Sequence, residues 1–323
     1  MIYITGATGF IGERLTRRLL DRGESVRCLV RSAARGAQLK ALGAELVVGD
    51  VADEQAHLQG LRGVQLGYHL AALYDVGMVD RRALEQTNID GTRAFLSALE
   101  KSGTPRAVYV SSTVALGPVP PAETEPREAY SGPYPSQYHR TKAEAHRLAR
   151  QAQLRGVPLV MVCPSLVYGP GDHGPGGRFL RDLLKRRVPA LLTRPARLSY
   201  VYVDDVVDGL LAAGARGRPG EVYVFSGEAA SVNEFAARAT ALAGTRPPAL
   251  RFPPVLARLT GVVLDVIARP TGLRFPISRE TVAVGSHDNW LHSHERATRD
   301  LGYAPRSLDE GLPATVAAFQ RSS

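Results

Sequence analysis

The sequence predicts an α/β protein with a doubly wound parallel sheet and a smaller C-terminal α/β domain. Three observations carry this prediction: a glycine-rich turn follows the first apolar run, strand-like and helix-like segments then alternate, and the alternation becomes irregular from about residue 170. Alternation of this kind places helices on both faces of a parallel sheet. We therefore expect the sheet-bearing domain over residues 1-169, with strands and a helix near 199-227 returning to it, and the smaller domain mainly over 170-323.

The first turn, residues 5–12, reads TGATGFIG. The apolar run from Met1 to Ile4 is typical of a buried strand, and Ile11, Leu15 and Leu19 recur every four residues on one face of a helix. A glycine-rich turn between strand and helix exposes backbone N–H groups at the positive end of the helix, which suits a pyrophosphate. The spacing G-x-x-G-x-x-G departs from the usual G-x-G-x-x-G, so a plain strand-to-helix turn remains an alternative.

Later segments extend the same sheet. Glu24 to Arg31 is a second strand, which places the glycines at the first turn of a βαβ unit. Further strands are predicted at Ala44 to Val48, Val64 to Leu70, Ala107 to Ser111 and Val157 to Cys163, with returning strands around Val201 and Val222. Helices are predicted at Gln38 to Leu42, Arg81 to Lys101 and Ser136 to Arg155. Because ligands bind beyond the carboxyl ends of such strands, one rim is expected to hold Gly6, Asp50, Ala71 and Ser112.

The composition is that of an ordinary globular protein. Of 323 residues, 44% are hydrophobic and 22% are charged. No apolar run approaches the roughly 20 residues that cross a bilayer, and no leader is visible, so we expect a cytoplasmic protein without membrane insertion. Cys28 and Cys163 lie in apolar runs and are expected to be buried free thiols.

The net charge of +9 raises the hypothesis of nucleic-acid binding. The arginines are spread over many helices, and Lys185-Arg186-Arg187 is the one tight basic run, which a solvated helix end explains better. We expect no nucleic-acid partner, and part of the charge could serve a phosphorylated cofactor. His292 and His294 are the one close histidine pair, which favours a polar loop over a metal site, so no metal is expected.

A candidate proton-transfer pair lies on the helix after the long loop. Tyr138 and Lys142 are four residues apart and share one helix face. A phenol with a pKa of about 10 is a poor catalyst near neutral pH, and a neighbouring ammonium lowers that pKa. Ser112, at a strand end, could hold a substrate carbonyl against the phenol. Because a lone Tyr-x-x-x-Lys pair is common on surfaces, its weight comes from the glycine turn and Ser112 on the same predicted rim.

Several motifs in a fixed order resemble the extended short-chain dehydrogenase/reductases, the NAD-dependent epimerase/dehydratase family. They are TGATGFIG at 5–12, GD at 49–50, HLAA at 69–72, VYVSS at 108–112, YHRTK at 138–142 and PSLVYGPGD at 164–172. YVYVDDVV at 200–207 and LGYAPRSLDEGL near the C-terminus extend the resemblance over nearly the whole chain. The sequence is most similar to the dihydroflavonol-reductase-like and 3-beta-hydroxysteroid-dehydrogenase-like branch.

The resemblance implies a Rossmann domain that binds a nicotinamide cofactor, with a smaller substrate domain and a homodimer. It implies that Tyr138 is the acid and base, and that Lys142 binds the nicotinamide ribose and lowers the tyrosine pKa. Ser112 would orient the substrate oxygen, with Thr113 as the alternative hydroxyl. Asn88 is either a structural helix amide or part of a proton relay.

The expected cofactor contacts combine the rim with these motifs. They are Gly6, Thr8, Gly9, Phe10, Ile11, Gly12, Arg31, Asp50, Val51, Ala71, Ala72, Tyr138, Lys142, Pro164 and Val167. An NAD enzyme places an acid at the end of the second strand to hold the ribose hydroxyl, but here that strand ends in Leu29-Val30-Arg31. Arg31 instead suits a 2′-phosphate, helped by Ser32 or Arg35, so NADPH is predicted rather than NADH.

Departures from the sugar-nucleotide members favour an apolar substrate. Dehydratases of this family have Asp-Glu where this chain has Thr113-Val114. Sugar-nucleotide members bind the substrate diphosphate with residues at two positions that are here Cys163-Pro164 and Leu198, with Arg197 one residue away from the second. We predict an NADPH-dependent reductase that acts on a carbonyl of a largely apolar aromatic, polyketide- or steroid-like small molecule. Two alternatives stay open: a sugar or sugar-nucleotide epimerase with tightly bound NAD(P), and a non-catalytic NADP-sensing protein.

The stretch from Arg251 to Arg269 is unusually apolar. Its aliphatic residues are Val255, Leu256, Leu259, Val262, Val263, Leu264, Val266 and Ile267. A lid or pocket wall, a packed core helix and a dimer face are all compatible with this pattern.

Overall fold

The computed structural model describes residues 1–75, 80–118, 125–271, 278–286 and 289–321, and a seven-stranded parallel sheet lies at its centre. The strands are β1 (Ile2–Thr5), β2 (Val26–Val30), β3 (Glu45–Val48), β4 (Leu66–His69), β5 (Ala107–Val110), β6 (Leu159–Pro164), β7 (Leu166–Tyr168), β8 (Ala190–Leu192), β9 (Arg197–Tyr202), β10 (Val222–Phe225), β11 (Glu228–Ser231) and β12 (Leu250–Phe252). The central sheet has the order β3-β2-β1-β4-β5-β6-β10 with all neighbours parallel. The strand order therefore reverses between β1 and β4, where ligands of such sheets bind.

Helices cover both faces of this sheet. They are α1 (Phe10–Asp21), α2 (Ala33–Ala41), α3 (Glu54–Gly60), α4 (Arg81–Glu85), α5 (Gly91–Ser102), α6 (Gln137–Leu154), α7 (Pro175–Leu184), α8 (Val203–Arg216), α9 (Val232–Leu242), α10 (Pro254–Thr271), α11 (Arg279–Ser286), α12 (Glu295–Leu301) and α13 (Leu308–Arg321). The expected helix at Gln38 to Leu42 begins earlier, because Ser32 caps α2 by accepting a hydrogen bond from the Arg35 N–H. The expected helix at Arg81 to Lys101 contains a π-helical turn, Gln86–Asp90, between α4 and α5.

Two apolar cores lie on opposite faces of the sheet. Successive residues of a strand point to opposite faces. Ile2 and Ile4 of β1 accordingly enter one core with α1 and α8, whereas Tyr3 enters the other core with α3, α5 and α6. Strands buried on both faces read as continuous apolar runs, which is why they are recognisable in the sequence. This sandwich holds the carboxyl ends of the strands in one rim.

The elements expected near 199-227 do not all return to the central sheet. Helix α8 packs against α1 and β5, and β10 joins the sheet beside β6. Strand β9 instead pairs with β7 and β11 in a separate three-stranded sheet, so its placement as a returning strand is wrong. The hydrogen-bonding partners of β9 come from distant parts of the chain, and they decide which sheet it joins.

A third core lies among the C-terminal elements. It combines Leu180 and Leu183 of α7, Phe235 of α9 and Leu312 of α13, and it includes Tyr202 at the end of β9. Strands β8 and β12 form a further two-stranded parallel sheet. The boundary between 1-169 and 170-323 stays a prediction, since the cores share β7 and the start of α1.

Helix α10 packs on α11 and turns an apolar face outward. Its inner side carries the buried Ala257 and Gly261. The α10 stripe, as we call its exposed aliphatic face, is formed by Val255, Leu256, Leu259, Val262, Val263 and Val266, which are 45% to 68% exposed. A packed core helix is therefore excluded for this stretch. Among the described helices, none has the length and apolar character needed to span a bilayer.

Candidate active site

The glycine turn brings β1, α1 and β4 into close contact. Gly6 has φ +72°, in the left-handed region, and a Cβ there would lie 2.7 Å from the Ala71 nitrogen. A Cβ on Gly12 would lie 2.1 Å from the Gly6 carbonyl oxygen, so α1 can approach the turn only without a side chain at this position. Gly9 is exposed, and a Cβ there would meet just the Gly6 oxygen, at 3.2 Å. The turn is therefore tight on its inner side and open on its outer side.

The open side of this turn has free hydrogen-bond donors. Gly9 caps α1 without a side-chain hydrogen bond, and Glu13 donates the first helical bond, to the Gly9 carbonyl at 2.9 Å. The N–H groups of Phe10, Ile11 and Gly12 precede that bond and have no partner within the helix. Thr8 is exposed beside them. These donors and the helix dipole fit a pyrophosphate.

The neighbouring end of β4 is held by Thr5. Its hydroxyl accepts from the Ala71 N–H at 3.3 Å and contacts His69 Nδ1 at 3.0 Å. Ala71 is half-buried and Ala72 is exposed. The two alanines thus lie on the same rim as the glycine turn.

The far end of the groove carries unpaired positive charge. Arg31 and Arg35 are exposed at the end of β2 and the start of α2, and neither forms an ion pair with any residue that the structure describes. Asp50 is exposed after β3 and accepts from the Ala52 N–H at 2.9 Å. The carbonyl of Val51 lies 2.7 Å from His57 Nε2. These residues can hold the adenosine half of a dinucleotide.

On the other wall of the groove, the segment after β6 packs on the start of α1. Pro164 ends β6 and is buried, and Val167 in β7 is half-buried. Arg14 of α1 donates a hydrogen bond to the Pro170 carbonyl. The segment that carries Val167 therefore lies beside the start of α1, and Pro164 is enclosed at the end of β6.

Helix α6 positions the candidate catalytic pair. Ser136 caps this helix by accepting from the His139 N–H at 3.3 Å, which fixes its first turn. Tyr138 is 9% exposed and Lys142 is 3% exposed, one helical turn apart. The side chain of Ser112 lies close enough to the Tyr138 phenol to lower its pKa, and its Oγ accepts a hydrogen bond from the Val114 N–H at 3.4 Å. The structure thus brings Ser112, Tyr138 and Lys142 together beside the rim.

Burial dominates the ionisation of this pair. Burial raises the pKa of Tyr138, and the interaction with Ser112 only partly opposes that rise. Burial also lowers the pKa of Lys142 to about 8, and its ammonium donates to the Val110 carbonyl at 3.2 Å. The expected lowering of the Tyr138 pKa by Lys142 is not seen, because the loss of hydration around the phenol is the larger effect. Tyr138 is consequently a neutral proton donor at neutral pH.

Asn88 lies in the π-helical turn and is fully engaged by its neighbours. Its Oδ1 accepts from the Leu73 N–H at 2.8 Å, and its Nδ2 donates to the Leu73 carbonyl and to Thr141 Oγ1, both at 3.1 Å. This bonding favours the structural interpretation of Asn88 over a proton relay. By holding the backbone of Leu73, Asn88 also positions Tyr74, which follows Leu73 in the chain. The ring of Tyr74 lies 4.8 Å from the ring of Tyr138.

Sequence reasoning missed Tyr74, which is 40% exposed beside the candidate catalytic phenol. A Cβ on Gly174 would lie 3.6 Å from its ring, and Arg178 forms an ion pair with Asp75 at 3.2 Å. The segment after β4 therefore contacts the segment before α7. The position of Tyr74, two residues after the HLAA motif, is the one sequence signal that could have indicated it.

A second missed residue, His146, supports the end of β5 from below. It lies one turn beyond Lys142, and its Nδ1 is 2.8 Å from Ser111 Oγ while its Nε2 is 2.8 Å from the Arg127 carbonyl. Burial lowers the pKa of His146 to about 4, so the ring is neutral and one nitrogen accepts while the other donates. The bond to Ser111 holds the strand end that carries Ser112.

Comparisons with known proteins identify the family of this chain. A profile of the NAD dependent epimerase/dehydratase family matches residues 2–225. A putative dihydroflavonol 4-reductase from Synechocystis sp. is 32% identical, over 98% of this chain and 94% of its own length. Sterol demethylase protein B from Methylococcus capsulatus is also 32% identical, over 98% and 97% of the two chains. A 3 beta-hydroxysteroid dehydrogenase/Delta 5-->4-isomerase from Mycobacterium tuberculosis is 30% identical, over 99% and 91%.

Solved structures show the same fold. The crystal structure of gox2253 superposes with a TM-score of 0.81 at 30% identity, covering 100% of this chain and 98% of that one. A UDP-glucuronic acid 4-epimerase from Bacillus cereus, solved with NAD, superposes with a TM-score of 0.79 at 20% identity, covering 100% and 99%. The second likeness concerns the fold alone. The chain belongs to the NAD-dependent epimerase/dehydratase family, the extended short-chain dehydrogenase/reductases, and is an NAD(P)-dependent oxidoreductase.

Proposed function

We propose that the protein reduces a ketone of a largely apolar substrate with NADPH, using Ser112, Tyr138 and Lys142. The observation that carries this proposal is the enclosed Tyr138 phenol, which Ser112 can reach and beside which Lys142 lies one turn along α6. The exposed ring of Tyr74 offers an aromatic wall next to the phenol. Relatives named as a dihydroflavonol reductase and a hydroxysteroid dehydrogenase act, by those names, on bulky ring systems and so support an apolar substrate.

The chain's own groups can carry out the proton part of this reaction. A bound nicotinamide supplies a hydride to the carbonyl carbon. Tyr138 donates its proton to the carbonyl oxygen, which gives the alcohol, and Ser112 donates a hydrogen bond to the same oxygen. Lys142, which keeps its positive charge below about pH 8, stabilises the phenolate that remains and can bind a ribose hydroxyl.

Two features of the groove support NADPH over NADH. The end of β2 carries no carboxylate that could accept from a ribose 2′-hydroxyl, and Arg31 and Arg35 offer guanidinium groups outside any ion pair of the described residues. A 2′-phosphate binds well to such groups, because charge-assisted hydrogen bonds to phosphate are strong.

The geometry disfavours the sugar-nucleotide epimerase. Arg197, which lies near the position where such enzymes grip a diphosphate, pairs with Glu234 at 3.2 Å and donates to the Ala229 carbonyl at 3.0 Å. A diphosphate without donors would be costly to bury. The intact Tyr138 and Lys142 pair likewise argues against a non-catalytic NADP sensor.

A screen that follows NADPH absorbance and product identity together tests this function. Aromatic, steroidal and polyketide-like ketones are compared with UDP- and dTDP-sugars, and Tyr138→Phe serves as the matched variant. We expect NADPH oxidation and an alcohol product with ketones, and neither with Tyr138→Phe. Conversion of a sugar nucleotide without net change in absorbance would instead establish the epimerase. Tight NADPH binding with no turnover of any compound would favour the sensor.

A further inference from the structure

The α10 stripe is an exposed apolar surface on a protein whose other large hydrophobic side chains are mostly buried. Val255, Leu259, Val262 and Val266 follow the spacing four, three, four, so they form one line along the helix, and Leu256 and Val263 widen it. Each is at least 45% exposed. Contiguous exposed aliphatic surface of this kind marks an interaction site rather than ordinary solvent contact.

Positive charge surrounds the stripe. Arg246, Arg251 and Arg258 are exposed before and on α10, and none forms an ion pair with the residues that the structure describes. Over residues 246–260, which lead into the first turns of α10, the sequence has three arginines and no carboxylate. An amphipathic helix with an aliphatic face and a basic surround matches the physical requirements for lying in the interface of an anionic bilayer.

Helix α10 is also connected to the candidate active site. It packs on α11, where Glu280 Oε1 accepts from the N–H of Gln137, at 3.3 Å, next to Tyr138. Trp290, which follows α11, lies 5.2 Å from the ring of His139 on the same first turn of α6. Helix α11 thus lies between α10, which carries the stripe, and the start of α6, which carries Tyr138.

We propose that the α10 stripe docks on an anionic lipid bilayer, and that the apolar ketone reaches Tyr138 from that bilayer. This inference rests on the proposed function only for the identity of the substrate. Charge complementarity favours lipid over a second copy of the chain, because two copies paired through α10 would bring their basic surrounds together. The mode is peripheral and needs no membrane-spanning helix.

Vesicle flotation with the full chain tests the docking. Vesicles of phosphatidylcholine alone are compared with vesicles that also contain phosphatidylglycerol, at low and high salt. The stripe variant is V262D with V266D, and the charge variant is Arg258→Glu. The control is Leu154→Asp, an aliphatic residue 76% exposed at the opposite end of α6 from α11. NADPH titration of every variant checks folding.

We expect the wild type and Leu154→Asp to float with anionic vesicles and to lose this association at high salt. The stripe variant and Arg258→Glu should bind about tenfold more weakly while still binding NADPH. Equal recovery of wild type and stripe variant, or no preference for anionic vesicles, would overturn the docking proposal. So would light scattering that shows a dimer in the wild type and a monomer in the stripe variant, or stripe-dependent binding to an acidic protein without binding to vesicles.

Assays on a water-soluble ketone separate this proposal from the proposed function. Turnover of that ketone without vesicle binding would refute the docking alone. Vesicle binding without reduction of any ketone would refute the reductase and leave the docking supported by its own measurement.

Discussion

Lys142 should make the stability of the protein rise with pH above neutrality, and Lys142→Met should remove that rise. Burial lowers the pKa of Lys142 from its ordinary 10.5 to about 8, so a charged ammonium opposes folding at neutral pH. Between these values the unfolded chain binds more protons than the folded one, and stability therefore increases with pH. The slope is at most about 1.4 kcal/mol per pH unit, and the whole window contributes about 3 kcal/mol. Below about pH 8 both states are charged and Lys142 adds no slope.

Urea unfolding of cofactor-free wild type and Lys142→Met, from about pH 7 to about pH 10, measures this effect. Cofactor is left out because a ligand that binds the folded state adds its own pH dependence. Tyrosines and cysteines also titrate at high pH, but they are shared by both proteins and largely cancel in the difference. The free energy of unfolding of the wild type relative to the variant should rise by about 2.5 kcal/mol between these two pH values, since the unfolded lysine is not fully deprotonated at about pH 10. A constant or falling difference would show that Lys142 is not held in a desolvated site.

Three further predictions concern the cofactor groove and the phenol. Tyr138→Phe should lower kcat by about 10²- to 10⁴-fold and leave NADPH affinity unchanged, measured by steady-state kinetics and fluorescence titration; unchanged turnover would refute its role. Arg31→Ala should weaken NADPH binding by roughly tenfold and spare NADH, since it removes a contact to the 2′-phosphate alone; equal loss for both cofactors would contradict this. Gly9→Ala should abolish cofactor binding with little loss of stability. Gly12→Ala should instead destabilise the fold by about 1–3 kcal/mol in thermal unfolding, because its Cβ would lie 2.1 Å from the Gly6 oxygen. Equal melting temperatures for the two glycine variants would be the contrary result.

The features that could be predicted from the sequence are local ones. The turn at 5–12 joins a strand to a helix within a few residues, so its glycines indicate both the turn and the groove. The central strands are buried on both faces and stand out as apolar runs. Tyr138 and Lys142 share a helix face by spacing alone. The grouping of these residues with Ser112 followed from the rule that parallel strands end on one rim.

The features that escaped prediction depend on distant contacts. Strand β9 joins the small sheet because β7 and β11 offer it partners, which its own residues do not encode. The pKa of Tyr138 is set by enclosure from several elements, and the spacing to Lys142 says nothing about that burial. Tyr74 lies beside Tyr138 because Asn88, in the π-helical turn, holds the backbone of the neighbouring Leu73. The exposure of the α10 stripe likewise became apparent only once its packing on α11 was known.

Transfer of deuterium from labelled NADPH tests the proposed reaction most directly. The cofactor carries deuterium at the transferable position of the nicotinamide, and the product of an apolar ketone is examined by mass spectrometry and NMR. We predict one deuterium on the new carbinol carbon for each NADPH oxidised, with the yield lost in Tyr138→Phe. An alcohol without label, or a turned-over substrate with no net oxidation of NADPH, would contradict hydride transfer to a carbonyl at this site.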